Sequence, residues 1–266
     1  MIGLGSGRGA LRLFLLLSLC LPFASCSSGT EGYTPSRRMD GFPQFFLWAW
    51  ERPEDLTFID TERYGVAFLA QTLTLANEEV TAHLRRQPLR VPPGTKLIAV
   101  TRVESRKHTG GPVSLGEAQR NKLTDHILRT LRLPDVAGVQ IDFDVVVSER
   151  GFYRELLADL RERLPDDVPL SMTALASFCL GDRWMAGLAV DEAVPMVFRM
   201  GTDNEPIRRI LQGGGDFREP LCRTSYGLSL DELPDMKFDS SRRIYLFNPR
   251  PWKPADLQDI PERFSR

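Results

Sequence analysis

The sequence predicts an α/β fold, a (β/α)8 TIM-like barrel that is irregular in its early units. Three observations predict it. Eight short apolar runs recur from residue 43 onward. Most are near-continuous rather than alternating, the pattern of strands covered on both faces. Stretches with helical periodicity separate several of them, which implies parallel pairing through right-handed crossovers. An open doubly wound sheet is the main competitor, but no glycine-rich phosphate loop follows the first run.

The runs are residues 44–50 (QFFLWAW), 64–76 (YGVAFLAQTLTLA), 95–104 (TKLIAVTRVE), 136–144 (VAGVQIDFD), 169–177 (PLSMTALAS), 192–200 (EAVPMVFRM), 222–230 (CRTSYGLSL) and 242–250 (RRIYLFNPR). After the second, residues 77–94 carry no helical stripe. Alternating Val80, Ala82 and Leu84, then Leu89 and Val91, predict a β-hairpin in place of the helix. After the third, Ser114 and Glu117 have the spacing of a capping box, and Leu123, Ile127, Leu128 and Leu131 share a helix face. After the fourth, Ser148 is placed to cap a helix striped by Phe152, Leu156, Leu157 and Leu160, with Pro165 beyond its end. Asp182-Arg183-Trp184 reads as a helix start after the fifth run. Residues 201–215 read as a short helix stopped by Gly213-Gly214-Gly215. Residues 254–264 close the chain with helical character.

The N-terminus differs. Arg8 and Arg12 flank the start of an apolar run, residues 13–23, that is short of the ~20 residues of a membrane span. It ends in small residues, as a secretory signal does. Phe23-Ala24-Ser25-Cys26 resembles the bacterial lipobox, with Phe23 where that motif usually has leucine. The resemblance implies cleavage before Cys26, lipidation of its thiol, and an exported protein anchored to the membrane on the periplasmic or outer side of the cell envelope. A plain secretory signal and a membrane span are the other readings. The expected organisation is a signal over residues 1–26, a flexible polar tether over 27–42, and one barrel domain over 43–266.

The chain is 42% hydrophobic and 26% charged with a net charge of −1. That supports a sizeable core and offers no basic excess for nucleic acid. Cys179 and Cys222 are either a disulfide of an exported protein or two separate buried thiols. Three histidines and no Cys-x-x-Cys spacing give no zinc signature, and no metal or cofactor is expected.

In a barrel, ligands meet the C-terminal strand ends. Reading where each run stops collects Trp48, Trp50, Glu51, Arg102, Glu104, Asp142, Asp144, Ser177, Arg199, Tyr226, Asn248 and, four residues on, Trp252. Such a rim suits a sugar, whose apolar face stacks on indole while its hydroxyls pair with acids and amides. Side chains alternate along a strand, so Gln140, Asp142 and Asp144 share one face. Burial beside another acid raises one carboxyl's pKa and equips it to donate a proton. The catalytic candidates are Asp144 as donor, Asp142 as its partner, and Glu104 as a second carboxylate. Trp48, Trp50, Glu51, Arg102, Arg199, Tyr226, Asn248 and Trp252 are the candidates for binding a carbohydrate. Structural alternatives stay open: acids bonded to Arg102 or Arg199, Glu104 in a rim salt bridge, tryptophans in the core. Ser177 has no evident histidine partner and no Gly-x-Ser-x-Gly surrounds it.

The fourth run resembles the strand-four signature of glycoside hydrolase family 18, the chitinase-like barrels, Asp-Gly-x-Asp-x-Asp-x-Glu. Gly138 and Asp142 match, Ala137 and Gln140 replace the first two acids, and Asp144 occupies the position of that family's catalytic Glu. In the sixth run Phe198 and Arg199 replace that family's Tyr and Asp. The stretches QIDFD, FYRELLADLRERLP, LSMTALASFCLGD and VPMVFRMG resemble bacterial domain-of-unknown-function family 3142, exported barrel-like proteins. Together these resemblances imply a barrel with a rim acid. They suggest acid-assisted glycosidic hydrolysis, or else a non-catalytic glycan-binding or envelope-scaffold role.

Overall fold

The structure, a computed structural model, describes residues 36–105, 113–181 and 183–264, together with residues 2, 3 and 5. Apart from residues 2, 3 and 5, the expected signal, with Cys26, lies outside the described residues, as does Asp182. The chain runs β1 (Phe45–Ala49), β2 (Glu54–Asp55), β3 (Tyr64–Ala76), β4 (Glu79–Leu84), β5 (Leu89–Arg90), β6 (Leu97–Ser105), α1 (Glu117–Arg129), β7 (Val136–Asp142), α2 (Arg150–Arg163), β8 (Leu170–Leu175), α3 (Ala176–Leu180), β9 (Glu192–Met196), α4 (Asn204–Gln212), β10 (Ser225–Ser229), β11 (Arg243–Phe247) and α5 (Ile260–Phe264). Eight of the strands form a parallel ring in the order β1-β11-β10-β9-β8-β7-β6-β3, and β3 pairs back onto β1 to close it. The fold is therefore the (β/α)8 barrel that the eight runs predict. Among the described residues no helix is long and apolar enough to cross a membrane.

A hairpin replaces the helix as expected, but Val80 to Leu84 pair back onto β3, while the Leu89–Arg90 run pairs in parallel with β2 instead of forming the second arm. The far half of β3 pairs antiparallel with β4, Gln71 to Ala76 against Leu84 to Glu79, and Asn77 turns the chain with φ +51°. Helices are missing in two further places, residues 50–63 and 230–242. There irregular backbone covers the barrel with single apolar side chains instead: Leu56 and Ile59 in the first, Leu233, Met236 and Phe238 in the second.

Both expected caps are replaced. Leu115, at φ +52°, turns the chain so that Gly116, not Ser114, precedes α1. Gln119 takes over the role: its Oε1 accepts from Leu115 N–H at 3.0 Å and its Nε2 donates to the Asn77 and Glu79 carbonyls, tying the helix to the hairpin. Before α2 a 3-10 turn, Val147–Glu149, intervenes, and Glu149 Oε2 accepts from Val146 N–H at 3.0 Å while Ser148 stays exposed. The α2 stripe, Phe152, Leu156, Leu157 and Leu160, is buried as its period requires.

The strand alternation sorts apolar side chains into two layers. Val139, Ile141 and Phe143 pack outward under the helices. Inside the ring lie Phe46, Trp48, Ile98, Val100, Val194 and Tyr245. Small residues make room for the large ones. A Cβ at Gly65 would stand 2.4 Å from the Phe46 ring, and one at Gly227 would stand 2.9 Å from Trp48. At the foot of the barrel Glu192 is fully buried, accepting from the Tyr245 hydroxyl and from Arg243 Nη1 at 3.1 Å, which offsets the cost of burying its charge.

Cys179 and Cys222 form a disulfide that links α3 to the 3-10 turn Pro220–Arg223. The last part of the expected tether packs on the barrel: Met39 is buried and Arg38 Nη1 lies 3.0 Å from Asp191 Oδ1. Residues ahead of 43 thus also pack on the barrel.

Candidate functional site

A cleft of ≈ 390 Å³ opens at the C-terminal end of the ring. Its floor is Trp48, held by two hydrogen bonds. The indole Nε1 donates to Gln140 Oε1 at 2.9 Å, and Gln140 Nε2 donates on to Ser171 Oγ at 3.0 Å. Below, Trp252 Nε1 donates to the Trp48 carbonyl at 3.1 Å. Two inward polar groups on neighbouring strands, Gln140 and Ser171, thus fix the indole, and the buried amide is satisfied on both ends.

Above this floor, β7 delivers Asp142 and the residue pair after it. Gln140, Asp142 and Asp144 face inward as their spacing requires, with Asp142 half-buried and Asp144 exposed at the rim. Thr173 Oγ1 on β8 donates to Asp142 Oδ1 at 2.7 Å. Burial raises the Asp142 carboxyl from its ordinary 3.8 to about 6; the Thr173 hydrogen bond and Arg102 work against this, Asp144 and Glu104 with it. Partial burial also pushes Asp144 up, opposed by the Arg102 charge. Arg102 Nε sits 3.3 Å from Glu104 Oε1 in a half-exposed pair. The opposite wall is apolar. Phe198 and Phe247 stack at 5.9 Å and 3°, and the Arg199 guanidinium lies 5.1 Å over the Phe247 ring.

The ring therefore brings together Trp48, Trp50, Arg102, Asp142, Asp144, Ser177 and Arg199. Glu104 stands beside the cleft through Arg102 and does not line it. Glu51 is exposed away from the lining. Three expected binding residues are displaced for clear reasons. Tyr226 lies near the start of β10 and points outward, packing with Phe217, Phe238 and Arg242. Asn248 follows the inward Phe247, so it turns out of the cleft and bonds Asp256 at 3.0 Å. Trp252 is buried behind Trp48. Strand-end position alone had missed Thr173, Phe198, Phe247 and Asp203, all on the lining. For Thr173 a signal existed: Ser171 and Thr173 share the period-two polarity of Gln140 and Asp142, and Gln140 pairs in register with Ser171.

Among the described residues no group of three or more His, Cys, Asp or Glu side chains is placed to hold a metal ion. The arrangement can hold a flat apolar face against Trp50 and the phenylalanine wall, accept hydroxyls at the aspartates, and carry a proton on a carboxyl near neutral pH.

No protein-family model matches the chain, and no curated protein matches it. Several solved structures are similar in fold. The protein designated Chitinase A from Streptomyces coelicolor is 13% identical over 84% of this chain and 96% of its own, with a TM-score of 0.49. A family GH18 chitinase from Chromobacterium violaceum is 12% identical over 80% of this chain and 71% of its own, with a TM-score of 0.45. The Bacillus cereus spore cortex-lytic enzyme SleL is 16% identical over 69% of this chain and 50% of its own, with a TM-score of 0.44. The barrel itself rests on the closed ladder of eight paired strands.

Proposed function

We propose that the chain binds a carbohydrate in the barrel mouth and hydrolyses a glycosidic bond with acid assistance from Asp142 and Asp144. The observation that carries this reading is the meeting of two inward carboxyls, both pushed up in pKa, with an aromatic floor and wall in one open cleft. Asp144, at the rim, gives its proton to the glycosidic oxygen as the bond to the anomeric carbon breaks. Water adds to that carbon, and the proton it releases restores the acid. Asp142, the deeper of the two, keeps a proton on the pair up to about pH 6. Arg102 limits the charge that builds between them.

The test is release of new reducing ends from a broad glycan panel by the wild type, Asp144→Asn and Asp142→Asn. The reading predicts turnover in the wild type and loss of turnover with retained binding in both variants. No turnover of any glycan, together with no effect of Asp144→Asn in cells, would defeat it. A glycan-binding protein without turnover is the second reading. It is favoured by the short Asp side chain at 144, one methylene less than the Glu of the chitinase-like signature, since misplacement on that scale costs roughly 10²-fold. The resemblance to domain-of-unknown-function family 3142 is compatible with either and names no substrate.

Export and membrane anchoring through Cys26 belong to the same proposal, resting on the Phe23-Ala24-Ser25-Cys26 resemblance. Cys26→Ser is expected to release the protein from the membrane fraction; unchanged fractionation would count against lipidation.

A further inference from the structure

We propose that the glycan taken by this cleft is anionic, with a carboxylate, sulfate or phosphate substituent held by Arg199 against the Phe247 wall. The inference rests on the reading of the cleft as a glycan site and narrows it to a substrate class.

Arg199 follows β9, lines the cleft and is exposed. Among the described residues its guanidinium forms no ion pair, whereas Arg102, the other arginine of the lining, is held by Glu104. Instead it sits over Phe247, 5.1 Å from the ring centroid, and that ring is backed by Phe198. A guanidinium held by a ring face rather than by a carboxylate keeps its N–H donors for a ligand, and that planar fork fits a carboxylate or phosphate group.

The backbone holds the side chain there. Arg199 has φ +51°, in the left-handed region that a residue with a side chain seldom enters. Its N–H donates to Glu232 Oε2 at 3.1 Å, and Glu232 Oε1 in turn accepts from Arg208 Nη2 at 2.9 Å. An ion-paired loop from the β10–β11 connection thus fixes the turn. An unusual backbone angle maintained by its surroundings at a ligand cleft points to a role for the side chain it aims.

The acid pair does not forbid an anionic ligand. Asp142 ends β7 and Asp144 follows it, while the arginine, rooted just past β9, leans on Phe247 of β11. β7 and β11 are four apart in the eight-strand ring, so the ring that Arg199 leans on stands across from the acids. An anionic substituent can meet Arg199 while the neighbouring glycosidic bond reaches the carboxyls. Asp203 is the carboxylate of the lining on the arginine's own side, and among the described residues it forms no ion pair with Arg199.

The experiment is a glycan array bearing uronate, sulfated and phosphorylated sugars beside their neutral counterparts, probed with the wild type, Arg199→Gln and Arg199→Lys, each checked by thermal melting. The wild type is expected to bind anionic members on the order of ten-fold tighter than neutral counterparts. Arg199→Gln should erase that preference, Arg199→Lys should keep part of it, and added salt should weaken anionic binding selectively. Equal binding of neutral and anionic sugars, or a preference that survives Arg199→Gln, would overturn the inference while leaving the glycan reading intact. No binding to any glycan would overturn both.

Discussion

Replacing Asp142 with Asn should stabilise the protein, and only above a definite pH. Asp142 is an acid whose native pKa is raised, from 3.8 to about 6. Between those values the folded state binds more protons than the unfolded one, so this group's contribution to stability is greatest below 3.8 and is lost as pH rises through 6. At about 1.4 kcal/mol per pH unit the full shift amounts to roughly 3 kcal/mol. Asp142 is only half-buried, and screening by solvent reduces this to about 1–2 kcal/mol. Asparagine keeps an oxygen to accept from Thr173 and carries no charge. The variant should therefore melt higher than the wild type at pH 8, by about 2–8 °C for a domain of this size, and the gap should close as pH falls to 4. Calorimetric melts of both proteins across that range measure it. A gap independent of pH, or a less stable variant at pH 8, would refute the claim that the native cleft disfavours the ionised carboxyl. A gain of this kind, combined with lost turnover, is the trade expected where a site holds an acid against its solvent preference.

Thr173→Val removes the hydrogen bond that opposes this shift, so the Asp142 pKa should rise further; NMR titration of the carboxyl carbon reads it, and no change would show that the hydroxyl does not tune the acid. Gly227→Ala places a Cβ against Trp48 and the Pro195 carbonyl, and overpacking of this kind is expected to cost about 1–3 kcal/mol in urea unfolding. An unaffected midpoint would mean the barrel interior yields. Cys179→Ala/Cys222→Ala opens a cross-link spanning a separation of 43 residues, a loss of about 4 kcal/mol on the chain-entropy account; an unchanged melting temperature after reduction would contradict a stabilising role.

Much of the site was legible along β7. Polar residues at period two in an apolar strand can point only to the inside of the ring, because the outer face must pack against helices. Gln140, Asp142 and Asp144 therefore declared their own direction. Phe198 and Tyr226 did not. An aromatic residue is at home in either layer, so the same alternation that relates one position to the next leaves open which set faces inward. In β10 the inward positions are Ser225, Gly227 and Ser229, Gly227 bare because the Trp48 ring stands against it, and Tyr226 is outward by default. Local capping signals failed for a similar reason. Gln119 and Glu149 bond groups supplied by the hairpin and by β6, partners that are distant in the chain.

By itself the sequence determined the strand count, the hairpin in place of a helix, the α2 stripe and the inward row on β7, since each is a repeat of apolar and polar character within a few residues. Only the tertiary structure decided which side chains meet: Trp48 on Gln140, Thr173 on Asp142, Arg199 on Phe247, Cys179 with Cys222. Those contacts depend on closing β1 onto β3 and on the register of each neighbouring pair, and register is a relation between segments that no single segment encodes.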